Sequence, residues 1–230
     1  MRAALLAVLL FVANAAWAGD FDDGIEAFKR KDYQTALAKL RQAATTGDAK
    51  AQAMLGWMYS SGNGVVQNYE EAVGWLKSSA GQGDVFAQYT LGVMYTNGRG
   101  VERDDKEAVR WYRRAAEQGN PKAQHNLGFS YRSGIGVPKN DVEAAIWFRR
   151  AAEQGVPDSQ YNLGLAYHDG QGVTRDILKS HMWLNIASAS GDDGFADERE
   201  KVASKMTSQQ ITKAQRMARD CVNSNFAKCD

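Results

Sequence analysis

Apolar and polar positions follow a helical period along most of this chain. Ala51, Leu55 and Tyr59 recur every four residues, which places them on one face of a helix. After a short loop containing glycine, a second apolar face follows at Ala72 and Trp75. The pattern therefore predicts a pair of amphipathic helices joined by a loop.

This helix pair occurs four times at intervals of 36 residues, with no insertion between copies. Repetition at such an interval is typical of solenoids, in which each unit buries the apolar face of its neighbour. Tryptophans that hold one register in every copy are interpreted as core residues, and glycines inside a helix indicate a closely packed neighbouring helix. The repeated positions include Gln52, Gln88, Gln124 and Gln160; Gly56, Gly92, Gly128 and Gly164; Tyr59, Tyr95, Tyr131 and Tyr167; and Trp75, Trp111, Trp147 and Trp183.

The loop within each unit carries recognisable helix boundaries. A glycine such as Gly62 suits the left-handed position after a helix, and Asn68 suits the N-cap of the next helix. Glu71 lies three residues after Asn68, which predicts a capping box. The Gly-x-Gly sequences follow a helix, whereas phosphate-binding loops follow a strand, so we interpret them as structural turns.

The repeats predict an all-α architecture with distinct ends. Residues 47–191 form the four 36-residue repeats, residues 19–46 a partial repeat that caps the N-terminal side, and residues 192–230 C-terminal capping helices. No segment rich in proline or serine separates these parts. We therefore expect one continuous solenoid of about twelve helices.

Residues 1–18 resemble a cleavable signal peptide. Arg2 is followed by an apolar stretch over residues 3–13, and Ala16-Trp17-Ala18 supplies the small residues that a signal peptidase requires. The alternative, an anchoring helix, is disfavoured because about 20 apolar residues are needed to span a bilayer. We predict cleavage after Ala18, a periplasmic or secreted location, and a mature chain without a membrane span.

Cysteine and charge content narrow the classes of partner and site. Cys221 and Cys229 are the only cysteines, and in an exported protein such a pair predicts a disulfide rather than a metal or redox site. From Gly19 onward 27 basic residues balance 27 acidic ones, because Arg2 supplies the excess in the total of 28. A neutral chain has no long-range field to attract nucleic acid or an anionic membrane, so neither is expected as a partner.

The repeated run Ala-x-Ala-Gln-x-x-Leu-Gly-x-x-Tyr, followed by Gly-x-Gly-Val and Ala-x-x-Trp, resembles the Sel1-like repeat family, a relative of the tetratricopeptide repeat. The resemblance implies a right-handed superhelix of helix pairs whose first helices line a concave groove. It also implies adaptor work, in which the groove holds a protein or peptide. This chain departs from the cysteine-rich branch of the family, since its repeats contain no cysteine.

In the related tetratricopeptide units, ligand contacts come from first-helix positions that point away from the Leu-Gly-Tyr face. These positions differ between the copies here, as expected of a surface that packing does not constrain. The alternative is that some of them pack between adjacent first helices. Mapped onto this chain, the candidate partner-binding residues are Trp57, Tyr89, His125, Asn126, Phe129, Arg132, Tyr161, Asn162 and His168.

The leading hypothesis is therefore an exported, monomeric binding module without enzymatic activity, cofactor or metal. One alternative is an envelope regulator that occludes a sensor protein until a signal releases it. Another is a hydrolase acting on the cell wall or on β-lactams, which the cysteine-rich relatives suggest. The sequence contains no Ser-x-x-Lys or His-Glu-x-x-His motif and indicates no nucleophile beside a base.

Overall fold

A computed structural model describes residues 19–229, and within this range the chain forms twelve helices and no strand. The predicted signal peptide and its cleavage site after Ala18 lie outside the described residues. The all-α repeat architecture is confirmed. The helices are α1 (residues 19–29), α2 (Tyr33–Thr45), α3 (Ala49–Ser61), α4 (Tyr69–Gly81), α5 (Val85–Asn97), α6 (Asp105–Glu117), α7 (Pro121–Ser133), α8 (Asp141–Ala152), α9 (Pro157–Asp169), α10 (Ile177–Ser188), α11 (Asp193–Ala203) and α12 (Ser208–Asn223).

The chain divides into two compact units, and the boundary lies inside α6, between Trp111 and Tyr112. In the first unit α3 packs against α2 and α4, and α4 packs against α5. In the second unit α8 packs against α7 and α9, and α10 packs against α9, α11 and α12. We call α3, α5, α7 and α9 the first helices of the four repeats, and α4, α6, α8 and α10 the second helices.

Side chains cap the starts of the first helices α3 and α5, and the left-handed glycine predicted at Gly62 is confirmed. The carboxylates of Asp48 and Asp84 accept hydrogen bonds of 2.8 and 2.7 Å from the backbone N–H of Ala51 and Ala87. Pro121 occupies the first turn of α7, where a missing N–H costs nothing. Each first helix ends at a glycine in the left-handed region, a conformation that residues with a Cβ adopt at a cost. These glycines are Gly62, Gly98, Gly134 and Gly170.

The capping box predicted at the start of the second helices is wrong. The side chain of Asn68 accepts a 3.1 Å hydrogen bond from the Glu71 N–H as expected. The N–H of Asn68, however, donates to the backbone oxygen of Tyr59 at 2.9 Å, and Asn140 donates to Tyr131 in the same way. Because the backbone N–H of the N-cap residue already donates to the preceding helix, it is not free to donate to the glutamate side chain, and the second hydrogen bond of the capping box does not form.

The repeated helix glycines mark close packing, but the nearest neighbour is a side chain rather than a helix backbone. A Cβ on Gly56 would lie 2.5 Å from Leu76 Cγ, and one on Gly128 would lie 2.8 Å from Phe148 Cδ1. Leu76 and Phe148 belong to the second helices of the same repeats and are buried. The glycines therefore let a large second-helix side chain lie directly on the first helix.

The repeated glutamines fasten each first helix to the helix before it. Gln124 donates a 3.1 Å hydrogen bond to the backbone oxygen of Ala116, at the end of α6. Gln160 donates to Ala152 at 3.1 Å in the next repeat. Each carbonyl also accepts a 3.0 Å hydrogen bond from a backbone N–H of the following turn, donated by Gly119 and Gly155. The buried amide therefore uses the second lone pair of the carbonyl oxygen.

The repeated tryptophans occupy two kinds of environment. Trp147 and Trp183 are buried, with 6% and 0% of their surface exposed, as a core interpretation requires. Trp75 and Trp111 are only half-buried and pack against a cluster that includes Leu76. The core prediction therefore holds for the two copies in the second unit, whereas the two in the first unit lie at the edge of the core.

Two helices and a disulfide follow the repeats in the second unit. Helices α11 and α12 pack on α10, and Thr207 forms a capping box with Gln210 at the start of α12. Cys221 on α12 is joined by a disulfide to Cys229, and both cysteines are buried. Across residues 19–229 no helix combines the length and the apolar character that crossing a membrane requires.

Candidate partner-binding surfaces

In the first unit, the predicted site residue Trp57 lies in an open apolar hollow of about 430 Å³. The half-buried Trp57 ring packs edge-on against Phe28 of α1, with their centroids 5.5 Å apart. The start of α5 completes the hollow. Its lining residues are Phe21, Ile25, Phe28, Lys50, Ala53, Met54, Trp57, Asp84 and Phe86.

Tyr89, the second candidate in the first unit, is a half-buried residue of α5 and does not line this hollow. Burial raises the pKa of its hydroxyl above the usual value of 10.0, so the phenol stays neutral at physiological pH. The apolar ring of a neutral tyrosine can pack against a partner while its hydroxyl forms hydrogen bonds with that partner.

In the second unit, His125 of α7 and Ser159 of α9 form a hydrogen-bonded pair. The Nδ1 atom of His125 lies 2.8 Å from Ser159 Oγ. Burial lowers the pKa of His125 below 6.5, so the imidazole is neutral at physiological pH. The two residues stand 34 positions apart in the chain, and nothing in their spacing indicates the contact.

A serine beside an imidazole is the arrangement that a hydrolase would need, and no sequence motif indicates it here. Ser159 is fully buried, with 0% of its surface exposed. A substrate carbonyl cannot reach a hydroxyl in that position. The pair therefore joins two adjacent first helices, which is the packing alternative considered for these positions.

Arg132 is the centre of a second set of contacts between α7 and α9. Its guanidinium donates a 2.5 Å hydrogen bond to the side-chain oxygen of Asn162, which is buried. The same guanidinium lies 5.4 Å from the ring centre of Phe129 and 5.5 Å from that of Phe148. Phe129 has 42% of its surface exposed, and Asn126 on the same helix is half-buried. Phe129 is therefore the most accessible candidate in this unit.

The remaining candidates contact residues that follow the repeats in sequence. The ring of Tyr161 stacks on Phe195 of α11 with centroids 4.7 Å apart. His168 Nδ1 lies 2.7 Å from an oxygen of Asp169, and Lys205 Nζ lies 3.1 Å from the Nε2 of the same imidazole. Phe195 and Lys205 lie outside the repeats, so the repeat pattern could not identify them as neighbours.

Within residues 19–229, no group of three or more His, Cys, Asp or Glu side chains is arranged to hold a metal ion. The predicted partner-binding residues of the second unit fall into two groups, those held in contacts between helices and those accessible at the surface. His125 and Asn162 are held in contacts between α7 and α9, whereas Phe129 remains exposed beside Arg132.

Comparison with known proteins identifies the repeat. Four consecutive Sel1 repeats match residues 49–84, 85–120, 121–156 and 157–192. The chain belongs to the Sel1 repeat family. Members of this family serve as protein interaction modules, and the Sel1 fold is generally a scaffold without catalytic activity.

Two solved structures from this family share about a third of their residues with the chain. A protective antigen of uropathogenic Escherichia coli with an SLR fold is 34% identical to this chain, with a TM-score of 0.80. The match covers 96% of this chain and 48% of the antigen chain. A Sel1 repeat protein from Oxalobacter formigenes is 33% identical with a TM-score of 0.71, covering 91% and 79%. This Sel1 repeat chain thus spans about half the length of the E. coli antigen.

A more distant structure shares the fold alone. A putative Sel1 repeat protein from Klebsiella pneumoniae is 22% identical with a TM-score of 0.50, over 81% of this chain and 93% of its own. No protein of curated function matches the chain at a significant level.

Proposed function

We propose that this Sel1 repeat chain is an exported binding module that holds a protein or peptide partner on its first helices. The proposal rests on a difference in burial between two sets of positions along those helices. The repeated leucines, such as Leu55 and Leu127, are fully buried, whereas Trp57, Phe86 and Phe129 keep part of their surface exposed. Aromatic side chains exposed on a folded scaffold often anchor protein interfaces.

The surface of the second unit supports this proposal with a preorganised cation. Arg132 is held by Asn162 and by the rings of Phe129 and Phe148, so its side chain is already ordered. Binding through an ordered arginine loses less side-chain entropy than binding through a free one. Phe129 and Arg132 are the proposed centre of this surface, with Asn126 and Tyr161 beside them.

A role without catalysis is supported by the position of the serine that pairs with an imidazole. Ser159 is fully buried and its oxygen is taken up by His125, so it does not face a substrate. We propose that the pair aligns α7 with α9 and thereby shapes the binding surface.

Export is supported by two features. Residues 1–18 carry the charge, apolar run and small residues of a signal peptide, and Cys221 and Cys229 form a disulfide. Disulfides persist in oxidising compartments such as the periplasm. We propose a monomeric mature chain starting at Gly19, with residues 19–46 and 192–230 capping the four repeats in 47–191.

Cross-linking in the native cell envelope, followed by affinity capture and mass spectrometry, tests the proposal. Phe129→Ser removes an exposed first-helix aromatic, and Ile146→Ser removes a similarly exposed residue, 41% accessible, from the second helix of the same repeat. Both variants should keep the circular dichroism spectrum of the wild type. We expect the partner to be captured by the wild type and by Ile146→Ser, and to be lost with Phe129→Ser.

Two results would contradict the proposal. Capture by Phe129→Ser with loss in Ile146→Ser would move the binding surface to the second helices. Equal capture by both variants would contradict the part of the proposal that centres the surface on Phe129 and Arg132.

A further inference from the structure

The hollow of the first unit has the size and lining of a ligand site. Phe28 and Trp57 form one wall, Met54 lies beside them, and Phe86 stands at the rim with 45% of its surface exposed. Its volume of about 430 Å³ falls within the usual range of small-ligand pockets. An apolar hollow of this volume has room for one or two large side chains of a partner.

Two small residues of the first unit stand where the second unit has a polar pair. Ala53 and Ala87 occupy the repeat positions that His125 and Ser159 occupy two repeats later. In the second unit the imidazole and the hydroxyl fill the space between adjacent first helices with a 2.8 Å contact. At the equivalent positions of the first unit Ala53 lines the hollow, and Ala87 is fully buried in the adjoining core.

Two charged residues in the lining favour a ligand carboxylate on one side of the hollow, next to Lys50. Lys50 is exposed, lies in the first turn of α3, and forms no ion pair with any residue in 19–229. A cation at a helix N-terminus is unfavourably placed because the helix dipole is positive there, so a ligand carboxylate beside Lys50 would relieve it. Asp84, also in the lining, already accepts the N–H of Ala87 and disfavours a second carboxylate nearby.

From this geometry we infer that the hollow binds a partner segment presenting a bulky apolar side chain with an aspartate or glutamate next to it. The apolar side chain lies among Phe28, Trp57 and Phe86, and the acidic side chain pairs with Lys50. The inference rests on the proposed function, because it specifies which kind of protein segment one of the two surfaces accepts.

Selection of a phage-displayed library of random short peptides on the immobilised mature protein tests the inference. The peptides enriched on the wild type should share a bulky apolar residue adjacent to Asp or Glu. Selection on Lys50→Glu should replace that acidic residue with Lys or Arg, because the charge at the rim is reversed. Selection on the matched variant Lys122→Glu, which reverses the lysine at the same position two repeats later, should leave the consensus unchanged.

Affinity of an enriched synthetic peptide, measured by fluorescence anisotropy, gives the second readout. Phe86→Ser should weaken binding about tenfold, since an anchor side chain at an interface contributes at least that factor. Phe86 is half-exposed, so the substitution leaves the buried core intact.

Three outcomes would overturn the inference. Enriched peptides that lose affinity with Phe129→Ser but not with Phe86→Ser would place recognition on the second unit, leaving the proposed function intact. A consensus without an acidic residue, unchanged by Lys50→Glu, would remove the role of the rim charge. Binding of laurate at the hollow with no peptide enriched at all would make the occupant a fatty acid, and would count against the proposed function as well.

Discussion

The guanidinium of Arg113 on α6 donates a 2.6 Å hydrogen bond to the hydroxyl of Tyr131 on α7 and lies 5.6 Å from the centre of its ring. Arg149 and Tyr167 form the same pair one repeat later, with the cation 5.8 Å from the ring. In each case the tyrosine is the repeated one and the cation stands 18 residues earlier. A second helix is therefore tied to the following first helix by a cation, a ring and a hydroxyl at once.

Removing the cation of such a pair should destabilise the second unit. We expect Arg113→Met to lower the free energy of unfolding by roughly 1–2 kcal/mol, because a hydrogen bond and a cation–π contact are lost together. Arg113→Lys should lose less, since Lys77 already lies over the Tyr95 ring at 5.7 Å in another repeat. Urea unfolding measures both values.

The control for this prediction is Arg175→Met. Arg175 is exposed and forms no ion pair among residues 19–229, so its loss should change the unfolding free energy by less than about 0.5 kcal/mol. Equal effects of Arg113→Met and Arg175→Met would show that the pair contributes nothing to stability.

A methyl group added at two helix glycines should have opposite effects. In Gly128→Ala the new Cβ would lie 2.8 Å from the Phe148 ring, and overpacking of this kind costs about 1–3 kcal/mol. Gly74 is exposed in the middle of α4, and no atom lies within 4 Å of the position that a Cβ would take there. Gly74→Ala should therefore stabilise the protein by up to about 1 kcal/mol. Thermal unfolding of both variants checks the signs.

A melting temperature that falls in both variants by the same amount would refute the packing explanation for Gly128. It would mean that replacing glycine is harmful in these helices whether or not a side chain lies opposite.

Stability should decrease as the pH falls below the usual pKa of histidine. His181 is 2% exposed, and burial first and the charge of Arg199 second lower its pKa below 6.5. The unfolded chain takes up a proton at about pH 6.5 while the folded chain does not, so the unfolded state gains stability as the pH falls. Above that pH both states are neutral and His181 contributes no dependence.

The measurement is the free energy of unfolding at several pH values between about 7 and 5, for the wild type and for His181→Leu. The leucine variant should show a shallower decrease, because one of the buried imidazoles has been removed; His125 leaves a residual slope. An equally steep decrease in the variant would assign the pH dependence to other groups.

The disulfide should stabilise the end of α12. Closing a loop of this length contributes about 2.5 kcal/mol in the chain-entropy account, and the bond joins Cys221 on the helix to Cys229 in the tail. We expect the double variant Cys221→Ser/Cys229→Ser to exchange amide hydrogens faster in α12, with α7 and α8 unaffected. Hydrogen–deuterium exchange measures the difference, and dithiothreitol added to the variant should have no further effect. Unchanged protection of α12 would contradict this prediction.

The local order of the chain was predictable because it depends on residues close together in sequence. Asn68 was identified as an N-cap and Gly62 as a helix end, since capping requires only a side chain or a glycine at a fixed offset. The predicted capping box at Asn68 failed for the opposite reason. Its N–H is taken by Tyr59, a contact made through the folded-back loop.

The candidate surface was likewise predictable only where it depends on the repeat pattern, and not where it depends on contacts between separate helices. The repeat pattern indicated which first-helix positions are freed from the core, and Phe129 and Trp57 are indeed only partly buried. It could not show that His125 would be joined to Ser159, or that Tyr161 would stack on Phe195. Those partners are non-repeating side chains brought together by the packing of separate helices.

By itself, the sequence determined the helix pairs, their 36-residue register, the family and the cysteine pair, because periodic burial and repetition are written along the chain. The tertiary structure alone decided which variable side chains are consumed in contacts and which stay accessible. It also placed Ala53 in the lining of an open hollow, whereas His125 at the equivalent repeat position is joined to Ser159. The reason is physical: exposure depends on the volume and hydrogen bonding of neighbours on other helices, and sequence spacing does not encode these.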